Sequence, residues 1–126
     1  MKKTLHLIVH KRWFDLIKSG EKTEEYREIT KYWRKRLCDK ENKMKHFDTI
    51  TFSNGYSKNR PQFEIELLGA YAGEGSESWG AILGKTYYVF ELGKIITDNP
   101  LAPVLNNIGV QPSVKSHINA LFNQRF

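Results

Sequence analysis

Between Ser19 and Arg27 the chain reads Ser-Gly-Glu-Lys-Thr-Glu-Glu-Tyr-Arg, which concentrates the side chains best able to handle an anion. The guanidinium of Arg27 is planar and can grip a phosphate through two parallel hydrogen bonds. If residues 22–29 run as a strand, Lys22, Glu24, Tyr26 and Glu28 face one way and Thr23, Glu25, Arg27 and Ile29 the other. Glu25 would then share a face with Arg27 and hold its guanidinium in place. Lys22, at the start of such a strand, could swing into the mouth of a cleft, with Tyr26 beside it. The same residues could also do chemistry: Lys22 and Glu25 are the candidate catalytic pair, with Arg27 as the cation for a developing phosphorane. An internal salt bridge stapling the strand to its core is an equally good reading of Glu25 and Arg27, and binding and stapling are compatible.

Lys31-Tyr32-Trp33-Arg34-Lys35-Arg36 interleaves cations with aromatics, the two components of single-strand nucleic-acid binding. On a helix, Tyr32 and Arg36 share one face, and Trp33 and Leu37 another. Trp33 and Leu37 read as core; Arg34 and Lys35 read as exposed basic surface, and Arg34 joins the candidate ligand set. The segment Ser53-Asn54-Gly55-Tyr56, followed by Arg60, could bring a backbone close to a ligand while Asn54 and Tyr56 read or stack on a base. A polar turn is the plainer alternative. Trp79 could stack on a base or plug one end of the fold. His6, His10, His46 and His117 have no metal-ligand spacing, and no Walker loop, Rossmann glycine pattern or Ser-His-Asp order appears, so neither metal nor cofactor is expected.

The elements that must position these residues follow from hydrophobic period and capping. Residues 5–10 read as a short apolar strand. Residues 11–19 read as a helix with Trp13, Phe14, Leu16 and Ile17 on its buried side, stopped by Gly20. A strand over 22–29 comes next, then a helix from an N-cap at Thr30 to Leu37. Alternation predicts strands over 47–52, 63–72 and 87–96, with a bulge near Gly93 and a glycine-rich loop over 73–86 anchored by Trp79. Past Asp98-Asn99-Pro100, Ser113 could cap a last helix with Val114, Ile118, Leu121 and Phe122 on one face, a stripe that suits packing better than a partner. Several short strands with two early helices predict an α+β fold, a mixed barrel of about five to six strands. The expected domain spans residues 1–96, and residues 97–126 form a C-terminal helical extension on or beside the barrel.

At 126 residues the chain fits one domain. Hydrophobic content of 40% and charged content of 27% fit a water-soluble globular protein, and no apolar run is long enough to span a membrane. The single cysteine, Cys38, rules out an internal disulfide and fits a cytoplasmic setting. The net charge of +6 is unevenly placed: residues 1–60 carry 16 Lys and Arg against 8 Asp and Glu, and residues 61–126 carry 4 against 6. A basic half of this kind is the footprint of a phosphate-binding surface.

Gly20, Lys22, Glu25 and Arg27 fill all four positions of a Gly-x-Lys-x-x-Glu-x-Arg pattern, placed after a first strand and a short amphipathic helix. In this the chain resembles the ASCH family over about residues 4–96. The resemblance implies a PUA-like barrel with a basic cleft at the motif and a role in RNA or nucleotide metabolism, the partner being RNA or a nucleotide-like small molecule. Some relatives bind RNA, one group removes the acetyl group from N4-acetylcytidine, and ribonuclease activity occurs in the family. The deacetylating members use a Lys, a Thr and a Glu. Lys22 matches the Lys, but Glu25 stands where they have the Thr. The leading expectation is therefore a binding module, with an amidohydrolase or ribonuclease as the alternative.

Overall fold

A computed structural model describes residues 1–56 and 59–99. The C-terminal helix expected after Ser113 lies outside them. Residues 97–99, counted on sequence with the extension, continue the last strand.

The first helix, α1 (Lys11–Ser19), forms where the sequence places it, because both ends are capped. His10 Nδ1 accepts from the Arg12 N–H at 3.2 Å. Gly20 takes a φ of 89°, a left-handed conformation that costs glycine nothing, and its N–H closes on the Ile17 carbonyl. The second helix, α2 (Lys31–Leu37), starts at Thr30, whose hydroxyl accepts from the Trp33 N–H.

Five strands surround them: β1 (Thr4–Val9), β2 (Glu24–Glu28), β3 (Thr49–Asn54), β4 (Gln62–Glu74) and β5 (Thr86–Asn99). They form one sheet in the order β1-β3-β4-β5-β2, parallel between β1 and β3 and antiparallel elsewhere. Three register shifts between β4 and β5 bend this long pair. One extra residue on β5 falls between the Leu67–Leu92 and Ile65–Ile95 pairs, where the bulge near Gly93 was expected. The sheet curls into a half-barrel whose edge strands, β1 and β2, approach each other without pairing.

Inside the curl lies the main core. Alternate β1 residues Leu5, Leu7 and Val9 meet Ile50, Phe52, Phe63 and Ile65, and α1 adds Trp13, Phe14 and Ile17. Phe14 and Phe52 tilt against Phe63 with ring centroids 4.9 and 5.7 Å away. Burying each such side chain contributes about 1.5–3 kcal/mol. A smaller cluster of Tyr26, Ala81, Tyr87 and Val89 fills one end, with Trp79 packed on it from a 3₁₀ turn at Glu77–Trp79. No described helix is long and apolar enough to cross a membrane.

Two strand boundaries differ from the sequence reading for identifiable reasons. β3 begins at Thr49 rather than Phe47, because the N–H groups of Asp48 and Thr49 both turn to the Lys3 carbonyl. β2 begins at Glu24 rather than Lys22, because the Lys22 N–H donates back to the Leu16 carbonyl of α1 at 3.0 Å.

Candidate functional site: a basic cleft at the open seam

The turn at Gly20 returns the chain against α1, and this drives Lys22 into the protein rather than toward a cleft mouth. Lys22 is 1% exposed. Its ammonium donates to Glu25 Oε1 and lies over the rings of Trp13 and Tyr26, at 5.0 and 5.5 Å from their centroids. The strand alternation that sets Lys22 apart from Glu25 does not apply upstream of β2, so the two meet. Within β2 the alternation holds: Arg27 lies on the Glu25 side, and its Nη2 donates to Glu25 Oε2 at 2.9 Å. A single buried carboxylate thus serves two cations. Burial holds both Lys22 and Arg27 below their ordinary pKa ranges, against the pull of Glu25, which favours their charged forms.

Arg27 also reaches across the seam, where the same Nη2 donates to the Ile8 carbonyl of β1 at 3.0 Å. Two residues along that edge, the His6 carbonyl accepts from Arg36 Nη2 of α2 at 2.6 Å. These carbonyls point outward from β1, which among the described residues pairs only with β3, and the guanidinium groups take the place of a sixth strand. Trp33 lies between the elements, with the guanidinium carbons of Arg27 and Arg36 at 5.0 and 5.1 Å from its ring centroid.

The seam opens into a cleft of about 520 Å³, within the range of small-ligand sites. The outer edge of β1 forms one wall. Arg27, Tyr32, Trp33 and Arg36 form the other, and Tyr56 and Arg60 stand at the end of β3. Tyr32 and Tyr56 are 64% and 58% exposed. Guanidinium groups beside solvent-facing aromatic rings can hold a phosphate and stack a base.

Of the residues singled out from sequence, Arg27, Tyr56 and Arg60 line this cleft. Lys22 and Glu25 do not line it; they stand behind Arg27 and fix its position. Tyr26 is fully buried and committed elsewhere: its hydroxyl donates to Glu24 and accepts from the Ser76 N–H. Arg34 projects from the other side of α2 into a separate pocket with Tyr71 and Tyr88. Asn54 is buried at the end of β3, and its Oδ1 has no hydrogen-bond partner among the described residues. Trp79 packs against the Tyr26 cluster, away from the cleft lining.

Arg36 and Tyr32 were missing from the sequence-derived site. Their signal was their shared helical face at i and i+4, which is the face that α2 turns to the cleft. The edge segment from His6 to His10 was read as a strand whose histidines lack metal-ligand spacing; what it gives the cleft edge is backbone carbonyls, which leave no chemical signature in sequence. Family models, curated proteins and solved structures contain no match to the chain, so its function is argued from the geometry of this seam.

Proposed function

We propose that the chain is an ASCH-type, PUA-like domain whose seam cleft binds single-stranded RNA or a nucleotide, holding phosphate on arginine and a base on an exposed tyrosine. The observation that carries this reading is the pairing of Arg27 and Arg36 on one wall of a ligand-sized cleft with Tyr32 and Tyr56 at its mouth. The motif supports it as well, since Lys22, Glu25 and Arg27 form one connected cluster that presents Arg27 to the cleft. Hydrolysis has less behind it. Lys22 is sealed between Trp13, Tyr26 and Glu25, and a substrate in the cleft meets Arg27 first.

The test is fluorescence anisotropy with a labelled short single-stranded RNA over a series of salt concentrations. Binding should weaken with salt, with a slope of about −0.7 per phosphate neutralised. Arg36→Ala should weaken binding about tenfold and flatten the slope by about one phosphate. Tyr32→Ala should weaken binding without changing the slope. Absence of binding at low salt, or affinity that both substitutions leave intact, would reject the reading.

A further inference from the structure

The charges around the cleft do not balance: its lining holds more guanidinium groups than carboxylates. Among the described residues Glu25 is the only carboxylate bonded to the buried pair Lys22 and Arg27, so that cluster keeps one excess positive charge. Glu28, the carboxylate among the lining residues, is taken by Lys85 at 3.3 Å. Arg36 has no carboxylate partner among the described residues. Arg27 and Arg36 therefore each carry a positive charge on the same wall that no carboxylate among the described residues fully offsets, and Arg60 adds a further cation at the end of β3.

These two guanidinium groups are held side by side. They donate to carbonyls two residues apart on one strand edge, a spacing of about 7 Å, and both pack on Trp33. Their mutual repulsion adds to burial in lowering the Arg27 pKa. The Arg27 side chain is 8% exposed, and its Nε has no hydrogen-bond partner among the described residues. A buried donor without an acceptor, next to a like charge, is a cost that an anion seated between the two groups would remove. The gap suits one phosphate, whose oxygens accept from a guanidinium on each side at about 2.7–2.9 Å.

The charge count also says which phosphate. A monoester carries about −1.5 to −2 at pH 7 and matches the charges of both Arg27 and Arg36. A diester within a strand carries one negative charge and leaves the other cation unmatched. Access points the same way: a cleft of about 520 Å³ in which Arg27 is largely buried takes one nucleotide end more readily than a strand continuing on both sides. Resting on the nucleotide-binding reading of this cleft, we propose that Arg27 and Arg36 recognise a terminal phosphate monoester, with its base stacked on Tyr32 or Tyr56.

The experiment compares one short single-stranded RNA, labelled on an internal base, in three forms: 5′-phosphorylated, 3′-phosphorylated and with hydroxyls at both ends. One phosphorylated form should bind at least about tenfold tighter than the hydroxyl form. Arg36→Gln, an exposed substitution whose folding is checked by thermal melting, should weaken the phosphorylated form more than the hydroxyl form and so erase that difference. The preferred end identifies the source of the phosphate, and displacement by a free nucleoside monophosphate as effective as by unlabelled phosphorylated RNA would name the mononucleotide instead. Equal affinity for all three forms, or an Arg36→Gln loss that is the same for each, would overturn the monoester proposal and leave the nucleic-acid cleft standing. Failure of every form and of the mononucleotide to bind would remove both.

Discussion

At the scale of residues, Glu25 governs the site without touching the cleft. Its two oxygens hold Lys22 and Arg27. Removing its charge leaves two buried cations without a counterion, and Glu25→Gln should cost about 3–5 kcal/mol, read as a lower urea midpoint. Lys22→Met keeps the volume and removes the surplus buried cation, so it should stay within about 1.5 kcal/mol of the parent protein. If it destabilises as much as Glu25→Gln, the ammonium is a required partner of Glu25 rather than an excess charge. Lys22 and Tyr26 also oppose each other in alkali. With its folded pKa below 10.5, Lys22 adds stability as pH rises toward 10.5, because the unfolded chain binds more protons in that window. Tyr26 is raised above 10.0, by burial first and by its bond to Glu24 next, so its contribution is lost as pH climbs past 10. Tyr26→Phe should lose about 1 kcal/mol at neutral pH and regain ground on the parent protein above pH 10, as followed by denaturant melts at each pH. The Glu25–Arg27 contact was legible because two strand residues at i and i+2 share a face. The burial of Lys22 was not, because it depends on one backbone bond from Lys22 to Leu16 that no side-chain pattern records.

At the scale of elements, α2 divides the basic segment into two unlike faces. Arg36 faces the cleft and Arg34 faces away from it. Arg34→Ala should therefore change RNA affinity less than twofold where Arg36→Ala changes it about tenfold, a contrast that a diffuse basic surface would not give. Both helices could be placed from sequence because their caps are local: His10 and Gly20 bound α1, and Thr30 opens α2. Strand ends were less legible, since a strand stops where its neighbour's backbone stops pairing. The loop carrying Trp79 makes the same point. Gly75 lies so near the Tyr26 ring that an added Cβ would sit 2.7 Å from its Cζ and 2.8 Å from the Ala81 Cβ. Gly75→Ala should cost about 1–3 kcal/mol by overpacking the smaller core, measured by thermal or urea unfolding. Nothing in the glycine-rich composition of residues 73–86 singles out that position, because the crowding comes from a ring about fifty residues earlier.

At the scale of the whole molecule, the sheet is a barrel left open along one line, and the cleft occupies that line. Arg27 and Arg36 bridge the two sides through carbonyls that a sixth strand would otherwise pair. A ligand seated on both arginines would tie the edges further and stabilise the folded state by mass action. At one hundred times its dissociation constant, phosphorylated RNA should add about 2.7 kcal/mol, against about 1.4 kcal/mol for a hydroxyl-ended strand bound tenfold more weakly at the same concentration, and the melting temperatures should differ accordingly. The fold class, the order of elements and the basic half were readable from period, capping and charge. The closure was not, because the join between β1 and β2 consists of side chains meeting backbone carbonyls, which leave no alternation to detect.

The position of β2 in the sheet has a further consequence, in time rather than in space. Among the described residues its only sheet neighbour is β5, so Glu24 pairs with Glu91 and Glu28 with Tyr87, about 60 residues later in the chain. During synthesis at about 5–20 residues per second, the Lys22, Glu25 and Arg27 segment is made early yet has no strand to join for several seconds. Its charges keep it hydrated over that interval. The same composition that costs the finished protein desolvation energy protects the nascent chain from pairing with the wrong partner.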